Sequence, residues 1–184
     1  MKRVILTLAV LFCVVASASA EKVLGVDVSR EKWAVGGRIG SGLQAQAEYK
    51  MQSDNYLDFR FGMSWCNGGD IMKAHKLLGG CGITADFQAL YQWHIADWDW
   101  TPSVGDWFFD AGAGIGAGGS SHLAYYGAVG GAKFGIKLNS VPLKIAVDWT
   151  PMIGGITLYG DDVSYSEFHK YGLANLGVSC VYCF

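Results

Sequence analysis

Polar and apolar residues alternate one by one along most of this chain, a period that belongs to β-strands with two unlike faces rather than to helices. The alternation is cleanest over 83–95, where Ile83, Ala85, Phe87, Ala89, Tyr91, Trp93 and Ile95 are interleaved with Thr84, Asp86, Gln88, Leu90, Gln92 and His94. The segments 33–41, 43–51, 56–65, 106–118, 124–138, 142–150 and 171–184 repeat the pattern. The glycine-rich segment 124–138 is expected to bulge near Gly130-Gly131. Turns are predicted at 52–55, from the run Gln-Ser-Asp-Asn, and at 139–141. The stretches 66–82 and 151–170 are predicted as long loops, and 96–105, with Trp98, Trp100 and Pro102, as a connector. The expected fold class is all-β, an eight-stranded antiparallel up-and-down β-barrel.

The same alternation fits a barrel in water or in lipid, so the residue types have to separate the two. One face is crowded with rings, among them Phe59, Phe61, Trp65, Phe87, Trp93, Trp107, Phe109, Phe134, Trp149 and Phe184. The interior of an eight-stranded barrel is just wide enough for side chains to fill it, so these rings are expected outside, facing lipid, in a transmembrane barrel. The opposite face holds Gly, Gln, Thr and nearly balanced charges: Arg38, Lys50, Arg60, Lys133, Lys137 and Lys144 against Glu48, Asp58, Asp86, Asp110 and Asp148. Buried charge has to be paired. The expected lumen is therefore a polar network of Arg38, Glu48, Asp58, Arg60, Asp86, Asp110, Lys144 and Asp148, closed rather than open as a pore. Gly112, Gly114, Gly116, Gly118, Gly127, Gly131 and Gly135 are expected to make room for long side chains there. Trp33, Trp93, Trp98, Trp100, Trp107 and Phe184 form one expected aromatic girdle, and Trp65, Tyr125, Trp149 and Tyr171 the other.

Composition adds a leader and excludes one partner class. Lys2 and Arg3, the apolar run 4–15 and Ala18-Ser19-Ala20 have the layout of a cleaved signal peptide over 1–20, leaving 21–184 as a single barrel domain. The apolar run is too short to span a bilayer as a helix. Charged residues make up only 16% of the chain and the formal charge is −2, which gives no electrostatic case for nucleic acid.

The signal segment, eight alternating strands and the ending Tyr182-Cys183-Phe184 together resemble the small outer-membrane β-barrels of Gram-negative bacteria, the opacity-type and OmpA-transmembrane-like group. The resemblance covers 33–184. It implies localisation in the outer membrane, surrounded by lipid and lipopolysaccharide. It also implies insertion by the barrel-assembly machinery, which would read Val178, Cys180, Tyr182 and Phe184, with Leu176, as its signal. Cys180 and Cys183 depart from the usual ending. Relatives of this porin-like shape include adhesins, surface-protection proteins, structural anchors and a few lipid-modifying enzymes. The expected role is non-enzymatic: envelope structure and surface interaction through the loops, with a lipid hydrolase or acyltransferase and a soluble lipocalin-like barrel as alternatives.

Candidate chemistry is sparse. Gly114-Ile115-Gly116-Ala117-Gly118-Gly119 has dinucleotide-fingerprint spacing, but a turn and strand are predicted after it where a helix would be needed. Cys66 and Cys81 flank the loop 66–82, where a disulfide and two free thiols both remain open. Cys180 and Cys183 have opposite strand parity and are expected on opposite faces. His75, His122 and His169 fall in predicted outer loops and His94 near the other end. Ser120-Ser121-His122 and Ser166-Glu167-Phe168-His169 are read as polar loop residues, because catalysis needs nucleophile, base and oxyanion donors together. No catalytic residue, cofactor or metal site is expected.

Overall fold

The computed structural model describes residues 32–51, 54–64, 83–120, 123–159, 164–169 and 175–184, the last two residues before 160 and the segment 164–169 as backbone only. These residues form β1 (Trp33–Ile39), β2 (Gly42–Lys50), β3 (Tyr56–Ser64), β4 (Thr84–Thr101), β5 (Gly105–Ser120), β6 (Leu123–Leu138), β7 (Leu143–Trp149), β8 (Met152–Tyr159), β9 (Ser164–His169) and β10 (Leu176–Cys183). Each of β1 to β6 pairs antiparallel with the next, β7 pairs with β10, and β10 returns to β1, so eight strands close a barrel. Closure gives each strand of the ring a hydrogen-bonded neighbour on both sides, which removes the free edges of an open sheet. At the seam the Phe184 amide donates to the Trp33 carbonyl at 2.8 Å, and the Trp33 amide to the Phe184 carbonyl at 3.2 Å. No helix occurs among the described residues.

Three stretches differ from the expectation. The connector 96–105 is mostly strand: β4 runs on to Thr101 and turns tightly back into β5, with the Val104 amide donating to the Thr101 carbonyl at 2.8 Å. The alternation breaks at Ile95 because the register shifts between His94 and Ala96. That irregularity puts Trp98 opposite Trp107 and so returns it to the outer face. Gly130 and Gly131 carry no bulge, since they face Ala113 and Gly112 in unbroken register.

The stretch 151–170 contains two strands rather than a loop alone. β8 follows β7 along the same partner, β6, with Ala132 opposite Trp149 and Val129 opposite Met152. Pro151 lies between them and has no N–H to give. Its carbonyl still accepts the Gly130 amide at 2.9 Å, so the ladder continues past it. β9 then pairs with β8. The wall at the long-linker end is consequently uneven. The β5–β6 ladder reaches Ser120 opposite Leu123, whereas β1 and β2 stop at Ile39 opposite Leu43.

The two faces differ in the sense predicted from residue type. Phe61 is 64% exposed and Ile115 68% on the outside of the barrel, with Ile39, Met63, Val147 and Val178 also exposed there. Arg38, Arg60, Asp58, Gln46, Gln92 and Lys133 are fully buried inside. The interior is not polar throughout, however. Leu90, Leu123, Tyr125, Val129, Met152 and Ile156 form a buried apolar cluster on the inner side of the taller wall. Tyr125 therefore leaves the expected outer girdle. It shares the odd-numbered parity of Lys133 on β6, so its ring turns inward and its hydroxyl meets Thr84 Oγ1 at 3.3 Å. Trp149 is exposed on the outside, while Trp65 and Tyr171 lie outside the described residues.

At the opposite end the outer rings are in contact. Trp98 stacks on Trp100 with centroids 5.5 Å apart, Trp107 stacks on Phe134 at 5.4 Å, and Trp33 lies against Tyr49 at 4.8 Å. Offset and tilted ring pairs of this kind add to simple area burial.

Candidate functional site

The interior is held by one extended network of charged groups, and strand register explains its geometry. Arg38 on β1 faces Ser179 on β10, and Asp148 on β7 faces Gly177 on the same β10. The Arg38 side chain crosses β10 by lying over Gly177, where an added Cβ would sit 2.6 Å from the guanidinium carbon. It reaches Asp148 with Nε to Oδ1 at 2.6 Å. Its remaining nitrogens donate to Gln44 Oε1 at 3.2 Å and Asn175 Oδ1 at 3.2 Å.

Asp148 Oδ1 also meets Arg60 Nη1 at 3.4 Å, and Arg60 Nη2 donates to Asp58 Oδ2 at 2.8 Å. The same Asp58 oxygen takes Lys133 Nζ at 3.2 Å, Lys133 donates to Glu48 Oε1 at 2.6 Å, and Glu48 Oε2 accepts from Lys144 at 2.9 Å. Asp86 joins through Gln44, whose amide donates to both carboxylate oxygens at 2.8 and 2.9 Å. The fold thus brings together Arg38, Glu48, Asp58, Arg60, Asp86, Lys144 and Asp148. Asp110 lies in a separate cluster at the tight-turn end, accepting from Tyr56 at 2.6 Å and meeting His94 Nδ1 at 2.9 Å. Lys144 links the two clusters by lying 4.6 Å above the Tyr56 ring, a favourable place for a cation.

Among the described residues inside, Arg38, Arg60, Lys133 and Lys144 face Glu48, Asp58, Asp86, Asp110 and Asp148, and a protonated His94 would add a fifth positive charge to this set. Several acceptors around Arg60 have no described partner: Asp58 Oδ1, Asp148 Oδ2, and the side-chain oxygens of its register neighbours Gln46 and Gln88. The Gln92 amide, also unpartnered, lies over Gly112 and beside Gly131. These glycines leave room for a long polar side chain, as expected. Gly114, Gly127 and Gly135 instead lie against neighbouring backbone.

Lys133, Gln44, Gln46 and Asn175 are network members beyond the eight expected. Lys133 shares the charged face in the sequence pattern, but its partners lie 75 and 85 residues away and no local signal names them. His94 with Asp97 escapes the pattern because the register shift between them brings residues of opposite parity to the same side. In β10 and the Phe184 that follows it, Leu176, Val178 and Phe184 are exposed outside and Cys180 and Tyr182 half-exposed, while Cys183 turns inward. Cys180 and Cys183 are not bridged. Gly114–Gly119 lies within β5, which leads into strand β6. Cys66, Cys81, His75 and His122 are outside the described residues, as is the His169 side chain.

A cavity of about 270 Å³ opens at the tight-turn mouth, lined by Glu48, Tyr56, His94, Asp97, Asp110 and Lys144 among others. Among the described residues, no group of three or more His, Cys, Asp or Glu side chains is placed to hold a metal ion. No family model matches the chain, and no curated protein or solved structure matches it significantly.

Proposed function

We propose that this chain is an integral outer-membrane β-barrel protein of the small Gram-negative type, exported by its first twenty residues and working without catalysis. The observation that carries the proposal is the inversion of its faces: paired Arg, Lys, Asp and Glu inside, and Phe61, Ile115, Val147 and Val178 exposed outside. In water each exposed large apolar side chain would forgo about 1.5–3 kcal/mol of burial. Soluble monomers rarely present continuous apolar surfaces of such extent. Against hydrocarbon the same surface carries no such penalty, and a closed barrel satisfies its backbone internally. The spanning part of β4 then ends at Trp93. His94 lies beyond it, level with the β2–β3 turn, where its amide donates to Asn55 Oδ1 at 3.2 Å.

The proposed role is structural and adhesive. The barrel would sit among outer-membrane lipid and lipopolysaccharide after delivery by the assembly machinery, with the 66–82 and 160–174 segments outside to meet a surface partner. The network around Arg60 would keep the lumen closed. A second reading, a soluble ligand-binding barrel, draws on the apolar interior cluster around Leu90 and Tyr125. Such barrels ordinarily turn their apolar face inward, and here that cluster occupies only one side of the interior.

Cell fractionation combined with gel migration before and after heating separates these readings. The proposal expects the chain in the outer-membrane fraction, extracted only by detergent, and migrating faster unheated than heated. Release of folded protein into detergent-free periplasm would contradict it.

A further inference from the structure

Both ring nitrogens of His94 are held by carboxylates. Nδ1 lies 2.9 Å from Asp110 Oδ1, and Nε2 lies 2.9 Å from Asp97 Oδ2. A neutral imidazole carries one N–H, an imidazolium two, and an ionised carboxylate can only accept. Both contacts are therefore hydrogen bonds only when the ring is protonated. Their environments are unequal. Asp110 is buried on β5 with its other oxygen taken by the Tyr56 hydroxyl, whereas Asp97 is exposed beyond the β4 irregularity.

We propose that His94 is a protonation-controlled latch, which as imidazolium straps the hairpin 96–105 to the mouth of the barrel and as neutral ring releases Asp97 while keeping Asp110. Asp110 is the bond retained, because an unpaired buried carboxylate costs far more than an exposed one. Release frees the Asp97 carboxylate beside the mouth cavity and removes one tie from the hairpin, which stays paired with β5 and held at its turn by the Asn139 amide on the Val104 carbonyl at 3.1 Å. The latch goes beyond the membrane reading and would operate in lipid or in water.

The other charges facing the ring do not remove this control. From β2 come Glu48, taken by Lys144 of β7, and Lys50, taken by Asp54 of the turn at 3.0 Å. β5 also brings Asp106 opposite Lys137 of β6, and Lys32 lines the far side of the cavity. Partial burial alone would lower the His94 pKa, but the hydrogen bonds and charges of Asp110 and Asp97 outweigh it and hold the value above the ordinary imidazole range. A folded-state pKa raised in this way adds stability that is fully present below the unfolded value of about 6.5 and is lost as pH rises through the folded value. The latch closes on the acid side.

The test is a histidine-ring NMR titration of the folded full-length chain, repeated for Asp97→Asn, with His94→Gln used for assignment. Hydrogen exchange of the 96–105 amides is followed in parallel and corrected for intrinsic rates. The latch predicts a His94 midpoint above 6.5 that falls by about half a pH unit in Asp97→Asn, in line with a weak exposed pair. It also predicts hairpin exchange that quickens above the wild-type midpoint. An ordinary midpoint, an unmoved midpoint in Asp97→Asn, or hairpin exchange independent of His94 protonation would each overturn it. Asp97 is exposed, so its variant folds even if His94→Gln does not.

Discussion

Arg38 and Asp148 meet at 2.6 Å from positions 110 residues apart, and they do so across an intervening strand rather than between neighbours. Gly177 on that strand makes the crossing possible, because any side chain there would occupy the path of the guanidinium. Asp148 then serves a second cation, Arg60, so one carboxylate ties β7 to β1 and β3 through the middle of the barrel.

Asp148→Asn is expected to destabilise the barrel by about 3–5 kcal/mol, the usual cost of leaving a buried charge without its partner. Asp86→Asn is expected to cost only about 1 kcal/mol, because Asp86 is held mainly by amide donors that an Asn oxygen can still accept. Urea unfolding of the two variants beside the parent measures the difference. Equal costs would mean that Asp148 does not carry the central charge.

Gly177→Ala should cost about 1–3 kcal/mol, as overpacking does where neighbours cannot move freely. The guanidinium it displaces is a flexible end, but one tied to Asp148, Gln44 and Asn175. Gly130→Ala is the control, since its added Cβ would come no closer than 3.3 Å to the Pro151 ring. The same unfolding experiment should find Gly130→Ala near the parent. Similar losses at both sites would argue against a special role for Gly177.

The filled interior predicts no stable large conductance when the protein is inserted into planar bilayers. Arg38, Arg60 and Lys133 are fully buried among their partners, and Leu90 with Tyr125 occupies the taller side. Single-channel recording checks this, and persistent large openings in the parent protein would show that the network does not close the lumen.

Much of this fold is legible in the alternation, because a period of two fixes which residues share a face and charge fixes which face turns inward. Tyr125 follows from the parity of Lys133 once β6 is placed; an aromatic near a strand end reads as a girdle residue only if that parity is ignored. The strand beyond Pro151 is hidden because proline signals a break, whereas here it lacks only a donor and its carbonyl keeps the ladder. The His94–Asp97 pair is hidden by the register shift, which cancels the alternation at Ile95. Partners such as Lys133 and Glu48 are set by barrel closure and stagger, quantities that no local window of sequence contains.

The central claim is that the apolar outer face meets hydrocarbon, and spin-label accessibility at that face tests it most directly. Nitroxides placed singly at Phe61, Ile115 and Val147, in a cysteine-free form of the protein recovered from native membranes, report collisions with oxygen and with a water-soluble nickel complex. The account predicts high oxygen and low nickel accessibility at all three positions. High nickel accessibility at these sites in the folded barrel would contradict it.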